Sequence, residues 1–455
     1  MVKPKPQVLL DSVRRLSRRQ AVAPLTNILD KSHPADIAEV IKYLTDSEKR
    51  MVFGLIKDPE KAADVLSELD ISDSIHLLSG ITEEQITMIL KEMSSDDAAE
   101  LVSNLPEEIS NRVLKLMEQE GQKDVEDLLK YEEKTAGRIM TTDFFALDEN
   151  TTAEDAMKAI RENSEAEMVF YIYVVDERGH LVGVVSLRQL VIVPPKTRLK
   201  EIMTTDVISV TTDMDQEEVA RAVEHYDFLA IPVVDEKNHL MGIITVDDVI
   251  DVLREEATED IMKMVGTKEE EYVYHDKVTR VARLRLPWLI TNLFGGLLTG
   301  YIMWLFKVTI KDMLALITFI PVITGMGGNV GVQSSSIMVR GFATGKVSFD
   351  RVKLFLVREI LIGFMMGTIC GIVVGLVGYI WHHSFILGLV VGIAMMVAMT
   401  VAASMGTLVP TFFRKIHVDP AIASGPFVTT SNDIVGILIY LATATIFLRL
   451  FHLIP

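Results

Sequence analysis

Residues 419–436 read DPAIASGPFVTTSNDIVG, and no Lys or Arg follows until Arg449. About 20 mainly apolar residues cross a bilayer, so residues 420–451 read as a membrane span. A carboxylate inside hydrocarbon is costly and must face protein, water or an ion. Asp433 is such a carboxylate, with no basic partner in its span before Arg449. Pro426 cannot donate a backbone hydrogen bond and frees the carbonyl near Ile422, and Gly425 loosens the same turn. Asp433 follows Pro426 by seven residues, hence on the same helix face, with Thr429 and Thr430 one turn below. The expectation is a column of oxygen atoms carrying one formal negative charge. The plainer alternative is a packing kink beside a hydrogen-bonded Asp.

Four further apolar runs precede this one, at about residues 287–308, 313–338, 354–381 and 385–412. Five such runs in under 180 residues leave no polar faces for a water-soluble surface, so they read as spans and not as buried core helices. Yet the 455-residue chain carries a net charge of −18. Residues 1–276 hold 31 basic and 58 acidic side chains, net −27, whereas residues 277–455 hold 14 and 5, net +9. An acidic soluble half therefore precedes a membrane half. Such an acidic surface disfavours nucleic-acid binding, which needs basic footprints. The lone Cys370 excludes an intramolecular disulfide and a cysteine metal cluster.

Orientation follows from Lys and Arg at the span ends. With the first half in the cytoplasm, the inner flanks hold Lys277, Arg280, Arg283, Arg285, Arg340, Lys346, Arg351, Lys353, Arg414 and Lys415. The outer flanks hold Lys307, Lys311 and Arg449. The opening MVKPKPQVLLDSVRRL has no apolar run of signal-peptide length, which agrees with a cytoplasmic start. The second span contains PVITGMGGNVGVQSSSIMVRGFATG, where Asn329 and Gln333 share a face by their spacing of four. Polar amides among glycines suit close helix contacts beside a wet path. In the third span Gly363, Gly367, Gly371 and Gly375 form a packing stripe. Glu359 lies near that span's inner end beside Arg358, and reads as a snorkelling or paired charge.

The soluble half carries an internal repeat. IMTTD occurs at residues 139–143 and 202–206, and VVDERGHLVGVV at 174–185 is echoed by VVDEKNHLMGII at 233–244. Doubling of so small a unit implies pairing of the copies. Each offers two strand-like runs around a turn, then a helix, and the pair resembles tandem CBS modules. Such pairs are regulatory and often bind adenine nucleotides, so ATP or another adenine nucleotide is the ligand implied there. Residues 22–130 have helical period with short connectors, HPADIAEVIKYL (33–44) and SSDDAAELVSNLP (94–106) being related units, as in stacked-helix modules. His33 reads as a turn or cap residue, and Ser94 or Ser95 as a helix start. Residues 254–285 turn from acidic to basic and read as a polar helix along the inner membrane face, its basic end suited to anionic lipid heads.

The expected fold class is thus mixed: an α-helical N-terminal domain, α+β tandem CBS domains, a connecting helix and a five-helix α transmembrane domain. The expected boundaries are an N-terminal segment (1–21), the acidic helical domain (22–130), CBS modules (137–198 and 199–253), the connecting or plug helix (254–285) and the membrane domain (286–455).

With RLPWL (285–289), GGNVGVQ (327–333) and DPAIASGPFVTTSND (419–433) added, nearly the whole chain resembles the MgtE magnesium transporters or channels. The resemblance implies a homodimer in the plasma membrane. Its pore would lie on the dimer axis, lined mainly by spans two and five, and would close when cytoplasmic Mg²⁺ binds between the acidic domains. Asp433 matches the pore carboxylate that holds the ion, with Gly425 and Val428 at neighbouring ligand positions. Gly425 offers a backbone oxygen where some members have an Asn side chain. Asn329, Gln333, Pro426, Thr429 and Thr430 would line the path. The regulatory carboxylates would be Asp96, Asp97, Glu217, Asp227, Asp248, Asp251, Glu256, Glu259 and Asp419.

Mg²⁺ favours oxygen ligands and retained waters, and no Cys or His cluster in the spans invites a soft transition metal. Residue type alone leaves Ca²⁺, Mn²⁺ and Co²⁺ open. No phosphate-binding Gly-rich loop or nucleophile–base set points to an enzyme or a primary pump. A secondary carrier coupled to H⁺ or Na⁺ is the nearest alternative. A receptor that transports nothing would leave the polar span interiors without a role, and an anion channel would want basic pore residues.

Overall fold

The structure, a computed structural model, describes residues 6–117, 119–162, 170–267 and 278–450. The chain divides into two compact units, Met1–Leu253 and Arg254–Pro455.

The first unit opens with short helices from Pro6–Arg18 to Gln119–Leu128. Isolated helices of this length are marginal in water, so their apolar stripes must stack. They do so in two alternating rows. Pro34–Lys42, Pro59–Ser67, Glu83–Lys91 and Glu107–Leu116 pack one on the next, and Asp46–Phe53, Ile71–Leu78, Ser95–Asn104 and Gln119–Leu128 do likewise. Ile37, Ile41, Leu66, Leu77 and Leu90 are buried in the shared core. Caps set the frequent starts. The His33 ring accepts from the Ala35 amide at 3.3 Å ahead of Pro34, and Thr82 and Gln85 exchange bonds in a capping box.

The repeat follows as two three-stranded sheets. Strands β1 (Ala146–Asp148), β2 (Tyr171–Val175) and β3 (Leu181–Ser186) form the first, and β4 (Val210–Thr211), β5 (Ala230–Val234) and β6 (Leu240–Thr245) the second. In each, the first strand is parallel to the middle one and the last antiparallel, with a register shift at Val174/Val175 and at Val233/Val234. The lead-in segments are exchanged between copies. Thr141 bonds Ile243 of β6 in both directions (2.8 and 3.0 Å), and Thr204 bonds Val184 of β3 (3.0 and 2.9 Å). This explains both repeated motifs together. A Cβ at Gly242 would overlap Met140, and one at Gly183 would overlap Met203, so the methionine of each IMTTD fills the space left by the other copy's strand glycine.

The helix Val246–Val265 leaves β6 without a break. The expected connecting helix is therefore the continuation of the last CBS helix and begins before residue 254. The later part of that expectation, residues 268–277 with Lys277, lies outside the described residues.

Among the described residues, five helices of the second unit are long and apolar enough to cross a membrane: TM1 (Val278–Leu305), TM2 (Leu314–Ala343), TM3 (Phe349–His382), TM4 (Phe385–Lys415) and TM5 (Pro426–Leu450). TM4 is the hub, packing on TM2, TM3 and TM5, while TM1 packs on TM5. The TM3 glycine stripe meets TM4 backbone: Cβ atoms at Gly367, Gly371 and Gly375 would press on Met396, Gly392 and Gly388. The fifth span differs from the continuous run expected from residue 420. A short helix Pro420–Ser424, capped by Asp419 Oδ1 on the Ala421 amide (2.8 Å), ends at Gly425, and TM5 proper starts at Pro426. The missing proline N–H and the glycine break the helix there. Glu359 also differs: it is buried and receives the Ser334 hydroxyl at 2.6 Å, whereas Arg358 is exposed. A carboxyl inside the bundle takes its partner from the neighbouring helix because the adjacent residue points elsewhere.

Candidate functional site

TM5 presents Asp433 one turn beyond Thr429 and Thr430. Its carboxylate is half-buried, and no hydrogen bond or ion pair reaches it among the described residues. The other side chains of this face are committed. Thr430 donates to Asn292 of TM1 at 2.9 Å. Thr429 donates from both its amide and its hydroxyl to the Gly425 carbonyl, each at 3.0 Å. That carbonyl thus already accepts two hydrogen bonds, leaving Asp433 as the free carboxylate of the kinked segment among the described residues. Val428 and Pro426 are buried. TM2 approaches closely because it lacks side chains there: a Cβ at Gly331 would overlap Asn432 and come within 3.0 Å of Val428.

Asn432 was not singled out from sequence. It is buried, donates to the Gly327 carbonyl at 3.5 Å and keeps an Oδ1 without a partner among the described residues. Asn329 and Gln333 lie on the exposed face of TM2 in the single chain. Amides cannot rest against lipid hydrocarbon without a steep cost. That face therefore calls for water or a second polypeptide.

Within the first unit, acidic residues far apart in sequence meet. A cleft of about 360 Å³ is lined by His33, Asp64, Glu68, Glu92, Asp96, Asp97, Asp143, Asp247 and Asp248, with Thr141 and Thr245 on its wall. Ser95 ties its sides together, its hydroxyl accepting from the Thr142 amide at 2.8 Å and lying 3.2 Å from Thr141 Oγ1. Burial pushes the Asp96 carboxyl well above the usual range, and the charges of Asp248 and Asp97 add to it. Asp97 rises for the same reason, against hydroxyls of Ser67 and Ser94 and with Asp247 and Asp251 nearby. Burial lifts Asp248 to about 7, opposed by the Thr245 hydroxyl and raised further by Asp247 and Asp97. Its Oδ2 accepts from the Thr245 amide at 3.2 Å and from Thr245 Oγ1.

Asp96 Oδ1 is buried and has no hydrogen-bond partner among the described residues. Crowded carboxyls with an orphaned oxygen fit a hard cation that accepts oxygen ligands and keeps waters. No three acidic or imidazole groups converge to hold a metal directly among the described residues. The cleft is thus a region of negative potential and not a closed cage.

The other regulatory candidates are dispersed. Glu217, near Arg221 at 3.9 Å, and Asp227, a left-handed cap at φ 55°, belong to the helix Gln216–Tyr226. Asp251 is exposed. Glu259 and Asp419 both bond Lys263, at 2.8 and 2.6 Å, so an ammonium already sits between them. Glu256 lies near Asp260, whose carboxyl burial lifts to about 6, with Asp419 adding to the rise. Asp247 and Asp260 were not singled out from sequence, although Asp247 adjoins Asp248 and Asp260 adjoins Glu259.

Comparison with known proteins agrees with this architecture. A family model described as a divalent cation transporter matches residues 320–443. The MgtE intracellular N domain matches 32–134, and the CBS domain matches 136–195 and 199–255. The magnesium transporter MgtE of Bacillus subtilis is 35% identical over 95% of this chain and 96% of its own. That of Thermus thermophilus is 38% identical over 72% of this chain and 73% of its own. Among solved structures, the cytosolic domain of the Mg²⁺ channel MgtE in complex with ATP is 38% identical, with a TM-score of 0.51, covering 53% of this chain and 99% of that one.

Proposed function

The chain belongs to the MgtE family of divalent cation transporters, and from that premise we propose that it carries Mg²⁺ across the plasma membrane and closes when cytoplasmic Mg²⁺ rises. The observation that carries the reading is Asp433, a half-buried carboxylate in a membrane span with no partner among the described residues. One carboxylate is too few for a selective divalent site, and two-fold symmetry is the commonest way to double it. In a homodimer, two Asp433 carboxylates would face a largely hydrated ion and hold it weakly enough for release. The exposed amides of Asn329 and Gln333 would then meet the aqueous path and not lipid.

Closure is proposed to begin in the acidic cleft. At low Mg²⁺ the carboxyls of Asp96, Asp97 and Asp248 repel one another. A cation binding among them stabilises whichever arrangement holds it better, and linkage carries that preference onward. The helix Val246–Val265 is the covalent route out of the cleft, since Asp247 and Asp248 form its first turn. The CBS pair is proposed to bind an adenine nucleotide, as the similar cytosolic domain was crystallised with ATP.

Mg²⁺ uptake into proteoliposomes tests the reading. The wild type should transport without a proton or sodium gradient, with transport falling as Mg²⁺ rises on the cytoplasmic side. Flux that requires such a gradient would favour the coupled-carrier alternative.

A further inference from the structure

The C-terminal end of the connecting helix meets the kink of the last span through glycine. The helix closes with a Schellman arrangement: Gly266 takes φ 76°, its amide bonds the Lys263 carbonyl at 3.1 Å, and the Thr267 amide bonds the Met262 carbonyl at 3.0 Å. That pattern satisfies the carbonyls of Met262 and Lys263 but not the next one. The Met264 carbonyl receives no donor among the described residues, and it abuts Gly425 so closely that a Cβ there would overlap the oxygen. Gly266 packs less tightly, against Pro426 at the start of TM5 and Trp288 of TM1. A Cβ on it would come within 3.1 Å of Pro426 Cγ and 3.3 Å of Trp288 Cγ. Lys263 completes the seat through its bond to Asp419, the cap of the short helix that ends at Gly425.

We infer that Gly425 and Gly266 form a paired glycine seat on which the end of the connecting helix docks, and that Gly425 is a positioning residue for closure. The inference rests on the proposed closing role of that helix. The chemistry is backbone against backbone. Residue 425 must lack a side chain because the Met264 carbonyl occupies that space; residue 266 is held to glycine first by its left-handed φ, and a Cβ there would in addition press on Pro426 and Trp288. Flexible side chains could swing aside, but a carbonyl oxygen of a helix end and a proline ring cannot. A side chain at 425 therefore moves the whole helix end outward, and one at 266 strains the cap and crowds Pro426 and Trp288. Gly296, on TM1, lies outside any such contact: a Cβ there would meet nothing within 4 Å.

Trp288 reports docking directly, being half-buried beneath Gly266. The test uses full-length protein in nanodiscs, with Trp304→Phe and Trp381→Phe leaving Trp288 as the single indole. Gly425→Ala, Gly266→Ala and the control Gly296→Ala are compared at saturating Mg²⁺. The same variants are reconstituted, and the ratio of flux at low to high cytoplasmic Mg²⁺ is measured. The seat predicts a red-shifted Trp288 emission in both Gly425→Ala and Gly266→Ala, and at least a tenfold loss in the inhibition ratio. Gly296→Ala should match the parent in both readouts. Unchanged Trp288 emission in both seat variants would overturn the inference. Shifted emission with intact inhibition would support the seat and refute the closing role of the helix. Because each glycine tests the seat from one side, a folding failure of either variant leaves the other to decide.

Discussion

Asp248→Asn should stabilise the first unit in the absence of divalent cations. The carboxyl's rise from its ordinary 3.8 to about 7 comes first from burial. At about 1.36 kcal/mol per pKa unit this corresponds to roughly 4 kcal/mol against the ionised form. The group is half-buried and shares its field with Asp97 and Asp247, so solvent screening reduces the effect to about 2 kcal/mol. Asparagine keeps an oxygen for the Thr245 amide and hydroxyl, and offers an amide to the facing carboxylates. A raised folded pKa means the compact state binds the proton more tightly. The penalty is therefore present above about pH 7, fades as pH falls through that value, and is gone below the unfolded value near 4. For a unit of this size, about 2 kcal/mol corresponds to roughly 4–8 °C in Tm. Thermal pulse proteolysis of the full-length protein at pH 8 in chelator should show the variant more resistant by that margin. At pH 5.5 the difference should shrink. At saturating Mg²⁺ it should reverse, because the wild type gains from a ligand the variant binds less well. A variant less stable than wild type at pH 8 in chelator would refute the view that these carboxyls repel.

Gly242→Ala should cost about 1–3 kcal/mol by forcing Met140 and the Thr141 carbonyl apart, read as a lower Tm of the first unit. An unchanged Tm would contradict the exchanged-segment packing. Ser334→Ala strips the buried Glu359 of its hydroxyl donor and should cost about 1–3 kcal/mol, measured by detergent-resistance unfolding of the membrane unit. Ser334→Thr, which keeps the hydroxyl, should lose less.

What the sequence made legible was periodic or repeated. Five apolar runs gave the spans, an offset of about 60 residues between like motifs gave the paired modules, and a four-residue glycine spacing gave the TM3–TM4 contact. What stayed hidden was set by long-range proximity. Asp96 and Asp97 meet Asp247 and Asp248 across about 150 residues, so acid density alone did not separate them from the dispersed Glu217 and Asp227. Glu359 found Ser334 on another helix because burial and not adjacency selects the partner. The break at Gly425 was visible as a Gly-Pro pair. The Met264 carbonyl that needs the glycine was not, since a backbone atom leaves no mark in side-chain patterns.

The most direct test of the central claim is Mg²⁺ flux through Asp433→Ala, reconstituted beside wild type with insertion and oligomeric state checked in the same samples. The account predicts a correctly inserted, folded protein whose flux falls at least a hundredfold, because no other free carboxylate in TM5 can replace the lost one. Wild-type flux from that variant would contradict it.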